Sequence, residues 1–116
     1  MNLSFAWTSE AYQAGRKTCT RRLWSDRTLR TWQRAWDQGR RRHKAWDRSP
    51  RFKGACIGEF ELTARPERQR LADMPEADLQ AEGGLWASLE EFIGLFGGED
   101  LEPVVVRFRP IVGGIP

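Results

Sequence analysis

The stretch Ala14-Gly15-Arg16-Lys17-Thr18-Cys19-Thr20-Arg21-Arg22 sets an amine, a thiol and two hydroxyls among three arginines. An amine serves as a base only after losing its proton, and burial beside other cations moves a lysine in that direction. A neutral Lys17 would withdraw the hydroxyl proton of Thr20 and make that threonine a nucleophile toward a carbonyl. The two stand three positions apart, which a continuous strand would send to opposite faces and a tight turn brings together. Cys19, between them, has no histidine nearby in sequence to activate it and reads as a small buried residue. His43 is the single histidine; without an orienting partner it reads as a surface residue of a basic run rather than a general base.

The elements that must position these groups follow from periodicity and caps. Asn2 to Trp7 alternates apolar and polar, with Leu3, Phe5 and Trp7 on one side, and predicts a first strand. Thr8 caps a short helix from Ser9 to Ala14 that Gly15 ends, so Arg16 to Arg22 is expected to be a turn. Ser25 or Asp26 caps a second helix with Leu29, Trp32 and Trp36 on its core stripe and Gly39 at its stop. Arg40 to Lys44 is a dense basic run, expected as a solvated loop or a phosphate contact. Ala45 to Asp47 and Ala55 to Ala64 read as strands, Glu76 to Glu82 and Ser88 to Phe96 as helices, and Val104 to Phe108 as the last strand. Gly113 to Pro116 is expected to fray. The order lacks the regular alternation of a doubly wound sheet and any Gly-rich phosphate loop. A single α+β domain over residues 1–110, built on a curled sheet, fits best.

At 116 residues the chain is the size of one compact domain. No stretch approaches the roughly 18 apolar residues of a membrane helix, and Met1 to Glu10 lacks the basic start and apolar run of an export signal. A cytoplasmic home and two free thiols, Cys19 and Cys56, are the expectation. One histidine and no C-x-x-C pair argue against a zinc site, and no cofactor is called for. The net charge of +3 conceals a gradient: residues 1–56 hold 14 Lys/Arg against 4 Asp/Glu, and residues 57–116 hold 5 against 12. Either the halves neutralise each other across the fold, or a basic face remains for a polyanion. Six tryptophans also stand out. Trp32 and Trp36 match the helix stripe, whereas Trp7, Trp24 and Trp46 adjoin the basic turn or strand ends and are the candidates for stacking on a base.

The Ala-Gly-Arg-Lys-Thr-x-Thr-Arg turn after a short helix, the stretch Trp46-Asp47-Arg48-Ser49-Pro50, and a Gly58-containing strand before a two-helix segment together resemble the ASCH superfamily, within the PUA-like fold. The resemblance spans Leu3 to Arg109. It implies a small β-barrel with flanking helices and a cleft for RNA or a modified nucleoside. A small bacterial member of that superfamily is an acetylcytidine amidohydrolase, which removes the acetyl group from the exocyclic nitrogen, and the reading for this chain is such a hydrolase with no metal or organic cofactor. Transferred on the matching motif, the proton acceptor falls on Lys17 and the nucleophile on Thr20. The proton donor falls on Glu82, in Gln80-Ala81-Glu82-Gly83, with Glu76, Glu90 and Glu59 as alternatives. Arg16, Arg21 and Arg22 would line the substrate or RNA cleft. The family's Gly-Asp pair after the basic turn is replaced here by Gly39-Arg40. Two other readings stand beside the hydrolase: a non-catalytic or RNA-cleaving RNA-binding module, and a domain that docks a protein partner.

Overall fold

The computed structural model describes residues 1–111. The expected tail from Gly113 to Pro116 lies outside the described residues. Six strands, β1 (Asn2–Ser4), β2 (Cys19–Arg22), β3 (Arg42–Trp46), β4 (Cys56–Leu62), β5 (Glu67–Arg68) and β6 (Val104–Ile111), form one curled sheet. Its order is β1-β3-β4-β6-β2, with β5 also on β6. The β1–β3 pair is parallel, and the remaining pairs are antiparallel. Four helices complete the fold: α1 (Ser9–Gln13), α2 (Asp26–Asp37), α3 (Asp78–Ala81) and α4 (Leu89–Phe96). The result is a compact α+β half-barrel.

The long strand β6 explains the curl. Its first half pairs with β2 on one edge and β5 on the other, while residues from Phe108 to Ile111 pair with β4. β1 and β2 are left as the two free ends of the sheet, and a side chain spans the gap between them: Arg22 Nη2 donates to the Ser4 carbonyl at 2.7 Å. The guanidinium lies 5.6 Å from the Phe5 ring centre beneath it. An unpaired edge carbonyl is thereby satisfied and masked.

Two apolar clusters fill the interior. The larger gathers Leu3, Phe5, Tyr12, Trp32, Phe60, Leu62, Val106 and Phe108 between the sheet and helices α1 and α2. The smaller joins Leu71, Met74, Leu79 and Phe92 under α3 and α4. α2 begins as its sequence dictates, with Ser25 Oγ accepting from the Thr28 amide, and Ser88 caps α4 in the same way through Glu91.

Three expectations need correction. The first strand ends at Ser4, because a 3-10 turn over Ala6–Thr8 breaks the period of two. Leu3 and Phe5 face the core as the alternation requires, but Trp7 is 88% exposed. The segment from Arg16 to Arg22 is not a turn throughout: its second half is β2, held by pairing with β6 from Cys19↔Arg107 to Arg22↔Val104. The basic run Arg40 to Lys44 is largely strand β3, in which Arg42 and Lys44 point to solvent while His43 and Ala45 are buried. His43 is therefore not a surface residue. Among the described residues, no helix is long and apolar enough to cross a membrane.

Candidate functional site

β2 and the segment before it deliver side chains alternately to two sides. Lys17, Cys19 and Arg21 stand on one side and meet α3; Thr20 and Arg22 stand on the other. α3 is docked by a backbone bond from the Thr18 amide to the Ala81 carbonyl, 2.8 Å long. Immediately after that carbonyl comes Glu82. The turn that carries it uses Gly83, whose φ of +132° is a backbone conformation that favours glycine.

Lys17 is 2% exposed and Glu82 is 4% exposed. Lys17 Nζ donates to the Glu82 backbone carbonyl at 2.7 Å and lies 3.5 Å from its carboxylate oxygen Oε1. The ammonium so satisfies a carbonyl at the end of α3 and pairs with a carboxylate at once. Burial lowers the lysine pKa; the Glu82 charge opposes that shift and the Arg22 charge assists it. The other carboxylate oxygen, Oε2, accepts from Arg21 Nη1 at 3.1 Å.

Thr20 is also buried, at 4% exposure. Its hydroxyl accepts from Arg22 Nε at 3.2 Å. Phe5 lies next to both sides of this arrangement, with Lys17 Nζ at 5.8 Å and the Arg22 guanidinium at 5.6 Å from its ring centre. Burial lowers the pKa of Arg22 as well.

Behind Glu82 lies an ionic network that sequence reasoning missed. Arg21 Nη2 donates to Asp78 at 2.6 Å and to Gln69 at 2.7 Å. Arg107 donates to both Asp78 oxygens, at 3.0 and 2.8 Å. Burial alone would raise the Asp78 pKa, but the hydrogen bonds from Arg107 and Arg21 outweigh it and hold this carboxyl below its ordinary range. Among the described residues Arg21 Nε has no partner. One signal for Arg107 was present in the sequence, a charge on the alternating strand from Val104 to Phe108, but its partner was not.

The remaining sequence candidates fall in different places. Arg16 is exposed and paired with Glu10. Arg21 is fully enclosed, so a phosphate reaches it only by displacing Asp78 or Glu82. Trp24 stacks on Trp32 with ring centres 5.1 Å apart, and Trp46 donates from Nε1 to Asn2 Oδ1 at 3.1 Å. Exposed Trp7 lines a small cavity of about 160 Å³ with Trp86, Phe92, Leu95 and Phe96. Glu76 and Glu90, the alternatives to Glu82, are exposed, as is Glu59. Cys19 is buried beside Glu82 and Arg21, and burial pushes its thiol up to about 12, which leaves it inert at neutral pH. Cys56 is exposed, and both thiols are free. Among the described residues, no three His, Cys, Asp or Glu side chains gather as metal ligands would.

Lys17 and Glu82 thus meet, while Thr20, buried on the other side, is tied to Arg22, and among the described residues no hydrogen bond joins it to Lys17 or Glu82. Comparison with family models, with curated proteins and with solved structures returns no significant match.

Proposed function

We propose that the chain is an ASCH-type domain of the PUA-like fold that recognises a modified cytidine-type nucleoside, in RNA or free, and hydrolyses an acyl amide on its base without a metal or organic cofactor. The observation that carries this reading is the buried pair of Lys17 and Glu82, groups 65 positions apart in sequence, with Nζ 3.5 Å from Oε1. The chemistry requires a neutral amine and a protonated carboxyl in the same site. Passing one proton from the Lys17 ammonium to the Glu82 carboxylate produces both, with no exchange with bulk water and no change in net charge. Burial of Lys17 favours that neutral form.

The steps follow from the groups. The reaction requires the substrate to draw Thr20 and Lys17 together from the two sides of the strand: Thr20 attacks the acyl carbonyl while its hydroxyl proton passes to Lys17 Nζ. The amide C–N bond then breaks, and the exocyclic amine leaves with the proton of Glu82. Water hydrolyses the threonyl ester and releases the carboxylic acid. Arg21, fixed by Asp78 and Gln69, positions Glu82, while Arg22 orients the Thr20 hydroxyl.

Incubation of the purified protein with acetylcytidine, with release of acetate as the readout, tests the proposal. Turnover that disappears in Thr20→Val and in Lys17→Met, with folding retained by circular dichroism, is the expected result. A wild-type protein that releases no acetate from the nucleoside or from acetylated RNA overturns it.

A second reading is favoured by how completely these groups are enclosed. A lysine bonded to the last carbonyl of a short helix, in a site closed to solvent, also serves to fasten α3 to β2. An RNA-binding domain without chemistry would use it in that way, and would retain its affinity for RNA in Thr20→Val.

A further inference from the structure

The charge gradient is only partly neutralised inside the fold. Of the cations in the first half of the chain, Lys17 and Arg21 pair with carboxylates of the second half, and Arg16 pairs locally. In the second half, Arg65, Arg68, Arg70, Arg107 and Arg109 each have an acidic partner. By contrast, Arg27, Arg30, Arg34, Arg40, Arg41, Arg42 and Lys44 take part in no ion pair among the described residues. All seven are exposed and lie on α2, β3 or the loop that joins them; Arg48, Arg51 and Lys53, exposed and likewise in no ion pair among the described residues, lie beyond the end of β3.

These cations are organised. Arg27, Arg30 and Arg34 recur at helical spacing on the side of α2 opposite its buried Trp32 and Ala35. At the carboxyl end of the same helix an open cavity of about 470 Å³ is lined by Arg40, Arg41, Arg42, His43 and Glu61. Arg41 sits over the face of Trp36, its guanidinium carbon 3.8 Å from the ring centre. Stacking fixes the plane of the guanidinium while its in-plane N–H groups stay free to donate. Glu61, the one carboxylate of the lining, is already held by Arg109. Three carbonyls near the end of α2, which would repel an anion, are occupied: those of Arg34, Ala35 and Trp36 accept from Gln38, Arg40 and Gly39. His43, in the same lining, is bonded through Nδ1 to the Met1 ammonium, which also borders the cavity, and its Nε2 is buried without a partner among the described residues.

We infer that this cavity seats a backbone phosphate of single-stranded RNA, and that the α2 arginines continue the track for neighbouring phosphates. Three convergent arginines without carboxylate partners match a phosphodiester, and a linear series of unpaired cations matches a linear polyanion. The inference deepens the nucleoside-directed reading by making the substrate part of a polymer, and it rests on that reading for the choice of RNA.

The test is fluorescence anisotropy of a labelled short single-stranded RNA against the full chain at salt between about 50 and about 200 mM, beside turnover of free acetylcytidine. In Arg40→Gln/Arg42→Gln, affinity at the lower salt falls roughly 10-fold or more and the log–log salt slope falls by roughly 1.4, the loss of two contacts on a single strand. Arg27→Gln/Arg34→Gln has a similar effect. Arg70→Gln, which removes a paired surface arginine, leaves the slope unchanged, and all three variants process free acetylcytidine as the wild type does. RNA loss in the Arg40/Arg42 variant with no acetylcytidine turnover in any protein retires the hydrolase reading and supports the RNA track. Wild-type RNA affinity and slope in the Arg40/Arg42 variant overturn the inference, as does binding of tripolyphosphate by a protein that ignores RNA.

Discussion

Lys17 Nζ stands 2.7 Å from the Glu82 carbonyl and 3.5 Å from the Glu82 carboxylate, so a single ammonium meets the same residue twice. The first contact fastens α3 to β2, and the second places an exchangeable proton between an amine and an acid. Structural and chemical roles therefore separate by substitution. Lys17→Met removes both and leaves Glu82 with Arg21 as its only cation, for which we expect a stability loss of about 2 to 4 kcal/mol in urea unfolding. Glu82→Gln keeps the carbonyl contact but strands the buried ammonium and takes one anion from Arg21, so it should cost about 3 kcal/mol as well, while abolishing acetate release. In the double variant the stability losses sum to less than their separate values, because the ion pair is removed only once.

The pH dependence of turnover reports the amine. Burial lowers the Lys17 pKa, so the neutral base becomes populated below the ordinary lysine value of about 10.4. Because the active pair holds a single proton between Lys17 and Glu82, the rate should fall on the alkaline side as that proton is lost, along a limb whose midpoint lies under that value. Arg22 opposes the ammonium charge, so Arg22→Gln moves the midpoint upward. A profile unmoved by this substitution would separate Arg22 from the base.

Acid stability depends on Asp78. Its carboxyl accepts from Arg21 and from both arms of Arg107, and these bonds hold its pKa below the ordinary carboxylate value. A carboxylate with a depressed folded pKa adds stability that is complete above its unfolded pKa, near 3.9, and that is lost as pH falls through the folded value. Asp78→Asn should cost about 3 kcal/mol at neutral pH by stranding two guanidinium groups. The difference between the variant and the wild type, followed by thermal unfolding, should shrink below about pH 4.

How much of this was legible in sequence varied with the range of the interaction. The helix starts at Ser25 and Ser88 were readable because a cap bonds an amide three residues on. The stripe of Leu29, Trp32 and Trp36 was readable because a helix face repeats locally. Strand β2 was not: Cys19, Thr20, Arg21 and Arg22 carry no apolar alternation, and they become a strand because β6 supplies partners 82 or more positions away. The same long-range pairing brings Arg107 beside Cys19 and so builds the Asp78 network. Trp7 was misplaced because alternation continues through it in sequence while the backbone turns at Ala6. Lys17 and Thr20 stood out as a local motif, but the tight turn expected to bring them together is replaced by β2, which carries Thr20 to the other side; that Arg21 is enclosed rather than free could be seen only once α3 was in place.

His43 gives a second acid transition, of different origin. Burial, with the positive charge of the chain terminus beside it, lowers its pKa to about 4. Its ring is packed against Trp32, with centres 4.6 Å apart, and against Phe60 at 5.7 Å. A base with a depressed folded pKa is neutral in the fold and charges more readily when unfolded. Stability is therefore complete above the unfolded value near 6.5 and declines as pH falls from there toward 4, by about 2 kcal/mol over the window. Urea midpoints measured between pH 7 and 5 should fall in the wild type and stay level in His43→Phe.

Gly83 links the backbone to the chemistry. Its φ of +132° is strained for any residue with a Cβ, and a methyl added there would meet Thr8 and Ala11 at ordinary contact distances of 3.4 and 3.5 Å. Gly98, at φ +123°, has the same backbone restriction with open space around it. Gly83→Ala and Gly98→Ala should therefore lose similar stability, about 1 to 3 kcal/mol, since strain rather than crowding sets the cost at both. Their effects on acetate release should differ. A shift of the Gly83 backbone moves the adjoining Glu82 relative to Lys17, and a misplacement of about 1 Å costs on the order of 100-fold in rate. Gly98 follows α4 and touches none of the groups around Glu82, so its variant should retain full turnover wherever it is folded. Equal turnover in the two variants would detach the Glu82 geometry from the reaction, whatever their stabilities.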